Sequence, residues 1–414
     1  MTNPIPTDWK QVKLSDVSEI KGGYAFKSAL MSSEPDKYQI IKMGNVYNDK
    51  LDLSRNPSYL DEINEKECAY LLKIGDIITS LTGTIGKRDY GYIVQIKDQK
   101  NLLLNQRLAL FRAKKSVLPN FLFNKTKHKE FKDKFFDISK GGTGNQSNVS
   151  TSALKELTIT IPPLPEQHRI VAVLETWDKA LEALTRKIEC KKNIKKGLMQ
   201  QLLTGQVRVA GFSGAWQTVK LGDVCEVISG GTPLTQNPSY WNGSIEWVTP
   251  TEITKLKGRY IKSSKRKITN LGLNNSSATL IKKNSLILCS RASVGVCAIN
   301  KKEVTTNQGF KNIIPNPDKL NVHFIYFWAL ENQSCFKNIA SGSTFLEFSK
   351  KDLLKLKILI PSIKEQTAIA QILTTADDEI TALEKKRDIL EDQKKYLLNN
   401  LITGKIRTPE NLNI

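Results

Sequence analysis

From residue 170 to residue 202 the apolar side chains fall at Ile170, Val173, Leu174, Trp177, Leu181, Leu184, Ile188, Ile194, Leu198 and Leu202, with mostly polar residues between them. Spacings of three and four put these positions on one helix face, close to a heptad seam. The pattern returns at Ile369, Ile372, Leu373, Ala376, Ile380, Leu383, Leu390, Leu397 and Leu401. Pro162, Pro163 and Pro165 are expected before the first helix and not inside it, so they mark its start. Gly205 and Gly404 mark the two ends. The spacing predicts a helix over 166–203, a rod of roughly 57 Å at ~1.5 Å per residue. A long helix with a single apolar stripe is not stable alone in water, so each is expected to pair with the other. If the two copies are related by a two-fold axis, they run antiparallel, with a globular part at either tip.

Outside the rods the apolar residues come in short β-type runs. Strands are predicted near 39–43, 76–80, 92–96 and 107–111, and again near 245–249, 285–290, 296–299 and 311–314. Helices are predicted at 119–136 and 322–340, each followed by a loop rich in Gly, Ser and Thr. The fold class is therefore mixed α/β, two tandem globules each followed by a long helix. The expected division is 1–160, 161–207, 208–359 and 360–414.

The chain is a duplication. Ile161-Pro162-Pro163-Leu164-Pro165-Glu166-Gln167 returns as Ile360-Pro361-Ser362-Ile363-Lys364-Glu365-Gln366. Leu202-Leu203-Thr204-Gly205-Gln206-Val207-Arg208 returns as Leu401-Ile402-Thr403-Gly404-Lys405-Ile406-Arg407. Both pairs are 199 residues apart, so the rods have equal length. Upstream the match continues with a drifting offset: Trp9 with Trp216, Gly22-Gly23 with Gly230-Gly231, 77–86 with 286–295, and Asn105-Gln106 with Asn307-Gln308. An internal repeat decides architecture before residue-level chemistry does.

Charge narrows the partner. The net charge is +21 over 414 residues. Residues 1–165 hold 25 basic against 18 acidic side chains, and residues 206–363 hold 21 against 9, so the excess sits in the globules. That balance favours a polyanion as partner, either nucleic acid or an anionic membrane, and no basic amphipathic helix with an apolar face stands out as a membrane binder. There is no apolar run of about 18 residues for a membrane helix. The N-terminus lacks a signal-peptide pattern, and six scattered cysteines without a CxxC point to reduced thiols in a cytoplasmic chain.

Small polar and basic residues recur at matched places in both halves and are the candidate DNA contacts. In the first half they are Lys21, Gly22 and Tyr24; Thr82, Thr84, Lys87 and Arg88; Asn105, Gln106 and Arg107; and Thr143, Asn145 and Gln146. In the second they are Thr232, Arg291, Ser293, Asn307, Gln308, Lys311, Ser343 and Thr344. Glycine permits close backbone approach, Asn and Gln can bond adenine bidentately, and Arg or Lys can read guanine. The lysine run 125, 127, 129, 132 and 134 reads as a solvated helix face, meeting phosphate if it meets DNA. No catalytic grouping, metal ligand set or ATP-binding loop is apparent. Asn56-Pro57-Ser58-Tyr59 and Asn237-Pro238-Ser239-Tyr240 resemble the Asn-Pro-Pro-Tyr motif of adenine-N6 methyltransferases, but they read as proline turns.

Two basic globules, each followed by a helix opened by I-P-x-x-x-E-Q and closed by L-[LI]-T-G, resemble the specificity subunit of type I restriction–modification systems. Trp9 and Trp216 with their V-K-L-x-D-V continuations, Gly230-Gly231-Thr232-Pro233, Tyr240-Trp241, Arg291–Gly295 and Thr306–Gly309 add to the resemblance, which spans essentially the whole chain. It implies two target-recognition domains on paired spacer helices, reading a bipartite DNA site, with no catalysis and no cofactor in this chain. The implied partners are two methyltransferase subunits bringing S-adenosylmethionine and, in many systems, two ATP-driven restriction subunits that use Mg. The competing readings are a solitary adenine-N6 DNA methyltransferase and a coiled-coil scaffold that binds nucleic acid without sequence choice.

Overall fold

The computed structural model describes residues 6–141, 146–341 and 346–412. The chain divides into two compact units, Met1–Glu182 with Asp388–Ile414, and Ala183–Arg387. The second unit is one continuous stretch, whereas the first is completed by the C-terminal stretch. Each long helix, Leu164–Leu202 and Ile363–Leu401, begins in one unit and ends in the other.

In the first unit the main sheet runs in the order Ser18–Gly22, Leu108–Ala113, Ile77–Ser80, Ile93–Gln95, every pairing antiparallel. A smaller sheet pairs Leu102–Leu104 parallel to Tyr38–Ile41, and Tyr38–Ile41 antiparallel to Tyr59–Leu60. The expected helix at 119–136 is two helices, Pro119–Lys127 and Lys129–Asp137. His128 is extended between them (φ −65°, ψ 147°), and its Nδ1 accepts from the Glu130 N–H at 3.3 Å, capping the second helix. Phe111, Phe121, Phe131 and Phe135 fill the space between sheet and helices.

The second unit repeats this plan by itself. Its main sheet runs Cys225–Ser229, Lys311–Pro315, Leu286–Leu288, Cys297–Asn300, with Tyr260–Ile261 added parallel at the edge. Its smaller sheet pairs Trp241–Val248 parallel to Thr305–Thr306 and antiparallel to Arg266–Ile268. The helix expected at 322–340 is again divided, into Val322–Glu331 and Gln333–Asn338. Phe324, Ile325, Tyr326, Phe327, Trp328 and Ala329 are all buried, as for a helix covered on every side.

The repeated Glu-Gln pair tethers each long helix to its unit. The Gln167 amide donates to the Ser116 and Pro162 carbonyls and accepts from the Leu118 N–H. Gln366 repeats this with Lys319, Pro361 and Asn321. Glu166 is clasped by Arg407, and Glu365 by Arg208. The opening of one repeat is thus bonded to the closing motif of the other. In the second unit Lys191–Glu379 (2.9 Å), Lys192–Glu384 (2.7 Å) and Lys195–Asp377 run in opposite directions along the two helix halves. In the first unit Lys394 bonds Asp178, while Ile170 and Leu174 share a core with Leu401. The helix halves are antiparallel within each unit. One expectation fails: the first helix starts at Leu164, so Pro165 lies inside its first turn. First-turn N–H groups have no intrahelical acceptor, so proline costs nothing there.

Candidate nucleic-acid interface

In both units the strand connections at one end of the main sheet gather the candidate residues. In the first unit the Tyr24 N–H donates to the Leu104 carbonyl (3.0 Å), and the Gln106 N–H donates to the Tyr24 carbonyl (2.9 Å). A Cβ on Gly23 would stand 1.9 Å from the Asn105 carbonyl oxygen, so this crossing requires glycine. In the second unit the Gly231 N–H donates to the Thr306 carbonyl (2.8 Å), and Thr232 hydrogen-bonds the Gln308 side chain. A Cβ on Gly230 would stand 1.9 Å from the Asn307 carbonyl oxygen. The Gly-Gly and Asn-Gln clusters, 81 and 76 residues apart in sequence for Tyr24–Asn105 and Thr232–Gln308, are neighbours in both halves.

The next strand end joins them. The Leu81 N–H donates to the Arg107 carbonyl (2.9 Å), and the Ser290 N–H to the Gly309 carbonyl (2.8 Å). Thr82–Thr84 then pairs with Gln146–Asn148, setting Thr82 opposite Asn148, and Arg291 bridges Glu347 in the matching place. The Asp89 carboxylate accepts from the Thr84 N–H and hydroxyl, both at 2.8 Å, and these bonds hold it below the usual carboxylate range.

The residues are not equally available. Lys87, Gln106, Arg107, Gln146, Arg291 and Gln308 are exposed. Gly22 closes its strand opposite Ala109. Ser293 follows Ala292, held at φ +62°, and its N–H donates to the Arg291 carbonyl at 2.7 Å. Asn307 accepts from the Gly309 N–H at 3.0 Å. Lys21 donates to the Ala69 carbonyl (2.7 Å) and lies over the Tyr70 ring. Arg88 is drawn to Asp133 (2.8 Å) and the Phe136 ring. Lys311 is buried, with Glu347 at 3.5 Å. Thr143, Asn145, Ser343 and Thr344 lie outside the described residues.

The lysine run is not one solvated face: Lys129 is exposed, Lys127, Lys132 and Lys134 are half-buried, and Lys125 is buried. Lys125 is 2% exposed, its ammonium donating to Thr160 (2.8 Å) and the Ile402 carbonyl (3.0 Å), and burial pushes its pKa down to about 8. Lys127, Lys129 and Lys132 line a cavity of about 300 Å³ with Arg88, Tyr92 and Asp133. The break at His128 turns these lysines off a single helix face.

One group escapes the sequence reading. Trp241 and Ile245 both pair with Ile268, so the three residues between them bulge, with Asn242 at φ +62°. The bulge brings the Trp241 and Trp247 rings to 5.0 Å, edge to face. Arg266 lies over Trp241 at 3.6 Å and over Trp247 at 5.2 Å. The Asn242-Gly243 dipeptide is the one sequence signal of that turn.

The remaining chemistry points away from catalysis. Burial pushes the Cys225 and Cys289 thiols up to about 12, the reverse of an activated nucleophile. Asn237 caps a turn, accepting from the Ser239 N–H (3.1 Å) and hydroxyl (2.7 Å). Among the described residues no cluster of His, Cys, Asp or Glu is placed to hold a metal, and no helix is long and apolar enough to cross a membrane.

The family described as the type I restriction modification DNA specificity domain matches residues 6–192 and 214–391, so the chain belongs to that family, the DNA-recognition and non-catalytic part of such systems. The putative type I restriction enzyme MjaX specificity subunit of Methanocaldococcus jannaschii is 28% identical over 418 residues, spanning 97% of this chain and 95% of that protein. The S subunit of a type I restriction-modification system from M. genitalium shares the fold with a TM-score of 0.59 at 18% identity, over 97% of both chains. A second solved chain, from work on assembly and conformational transition of the type I R-M system, aligns with a TM-score of 0.60 at 19% identity, over 97% of this chain and 100% of that one.

Proposed function

We propose that this chain selects a bipartite DNA sequence for a type I restriction–modification complex, residues 1–160 reading one half-site and residues 208–359 the other. Residues 161–207 and 360–414 act as the ruler between them. The observation that carries this reading is the matched cluster at the same end of the main sheet in both units. Two copies of one reading device suit a target in two parts, and two modules on a stiff spacer gain affinity only at the spacing the rod permits. Basic residues at the cluster's edges would meet phosphates, while Gln106, Arg107, Gln146, Arg291 and Gln308 would meet base edges. The chain binds no cofactor in this reading. Two methyltransferase subunits, docked along the helices, would supply S-adenosylmethionine and flip the target adenine. Restriction subunits, where present, would bring ATP and Mg.

Methylation mapping tests the reading directly. Host DNA made with this chain and its methyltransferase partner should show one bipartite methylated motif that vanishes when the chain is removed. Exchanging residues 1–160 for another recognition domain should change one half of that motif. A change in both halves, or equal competition by random duplex DNA, would overturn it. Binding of S-adenosylmethionine by the isolated chain would favour the solitary methyltransferase instead.

A further inference from the structure

We propose that Arg266 is a guanine-reading residue of the second recognition domain, an inference that rests on the DNA-specificity reading above. The guanidinium is on an exposed residue, and among the described residues it makes no ion pair or side-chain hydrogen bond. One face is covered by Trp241 at 3.6 Å, which leaves its N–H edge as the available part. Both tryptophans are themselves fixed. The Trp241 Nε1–H donates to the Leu234 carbonyl at 3.2 Å, and the Trp247 Nε1–H to the Gly231 carbonyl at 2.9 Å. The rings are therefore pinned to the Gly231–Leu234 segment, whose Thr232 bonds Gln308. Arg266 thus belongs to the same surface as the matched cluster.

The arrangement separates two kinds of contact. A phosphate accepts charge from many directions and needs no fixed donor plane. A guanine edge presents O6 and N7 in one plane and rewards a planar fork held edge-on. Lys255, Lys257 and Lys265 line a cavity of about 500 Å³ together with Arg266 and can serve the backbone. Stacking restrains the arginine before DNA arrives, so less conformational freedom is lost on contact.

The first domain lacks the device. Lys267 opposes Glu246 as Tyr59 opposes Gln39, so Arg266 corresponds to Ser58. Ser58 is buried and bonded to Lys42. The guanine that depends on Arg266 should therefore lie in the half-site of residues 208–359.

The test is selection from a randomised duplex pool by the full-length chain, beside Arg266→Ala and Arg266→Lys. Exchange of residues 1–160 assigns each half-site to its domain. The wild-type motif should contain a guanine in the second domain's half that becomes degenerate in Arg266→Ala, with preference falling roughly 5- to 150-fold, and that is weakened in Arg266→Lys, which lacks the stacked planar fork. The lysine variant keeps the charge, so it separates the fork from simple attraction. A motif that both variants retain, with binding unchanged or uniformly weaker, overturns the inference while leaving the specificity function intact. So does a second half-site without guanine, or a change in the first half. A wild-type chain that selects no bipartite motif removes the specificity reading itself.

Discussion

Arg407 donates two hydrogen bonds to the Glu166 carboxylate, at 2.6 and 2.7 Å, across 241 residues of sequence. Arg208 does the same to Glu365, at 2.7 Å for both. Glu166 is 2% exposed and accepts also from the Trp9 indole N–H (3.1 Å), whereas Arg407 reaches on to Asp8. The first unit is thereby completed by the last residues of the chain, just as the second is completed by the residues before Trp216. The repeat reads as two motifs, but its chemistry is one contact made twice.

Replacing Arg407 with alanine should leave a buried carboxylate with only the Trp9 N–H. Losing one partner of a buried pair costs about 3–5 kcal/mol, and the half-exposed arginine brings the expected loss to about 2 kcal/mol. Urea unfolding should report it. An unchanged midpoint would remove the clasp from the account of stability.

Lys125 makes the first unit's stability depend on pH. Its pKa in the folded chain is about 8, lowered by burial, against about 10.4 when unfolded. Between these values the unfolded chain binds more protons, so this group's contribution rises with pH across that window. The buried thiols act with the opposite sign: Cys225 and Cys289 stay protonated when folded, and lose stability as pH rises through the unfolded thiol range. The difference between wild type and Lys125→Met isolates the lysine. It should shift in favour of the wild type between pH 8 and 10, by up to about 3 kcal/mol. A constant difference would mean that the ammonium stays charged.

The rods, the duplication and most core strands are legible in the sequence because periodicity and repetition are properties of the chain itself. The Glu166–Arg407 and Gln167–Leu118 contacts are not, since they depend on segments that meet only in the folded unit. The division of the expected helix at His128 is also hidden, because histidine is no helix breaker and its cap is a tertiary choice. Trp247 falls in the strand expected near 245–249, and Trp241 lies six residues before it, outside that strand. Only the bulge at Asn242-Gly243 makes them neighbours, and so only the structure reveals the platform under Arg266. Lys125 reads as a surface lysine because its burial comes from the C-terminal end of the second long helix.

Glu246 holds the smaller sheet of the second unit. Burial disfavours its charge, but Lys302 (2.7 Å), the Ser264 hydroxyl and N–H, and Lys267 (3.3 Å) outweigh it and bring the pKa down to about 2. A lowered carboxylate pKa stabilises above the unfolded value of about 4.3, and this is lost as pH falls toward 2. Glu246→Gln should flatten the loss of second-unit stability between pH 4.5 and 2, followed by tryptophan fluorescence of Trp241 and Trp247. An equally steep acid transition in the variant would assign it to another group.

The ruler is tested by lengthening it. The pairs Lys191–Glu379 and Lys192–Glu384 require the two helix halves to keep register, so four residues must be added to both helices at points 199 apart. Points 199 apart lie opposite each other only near the middle of the antiparallel pair, so the first insertion belongs after Arg186 and the second after Lys385. Four residues add about 6 Å of rod, which is between one and two base pairs at ~3.4 Å each. The preferred gap between half-sites should widen by that amount while both half-site sequences stay as they were. An altered half-site would mean that the helices shape the reading surfaces as well as separating them, and an unaltered gap would mean that they do not set the spacing.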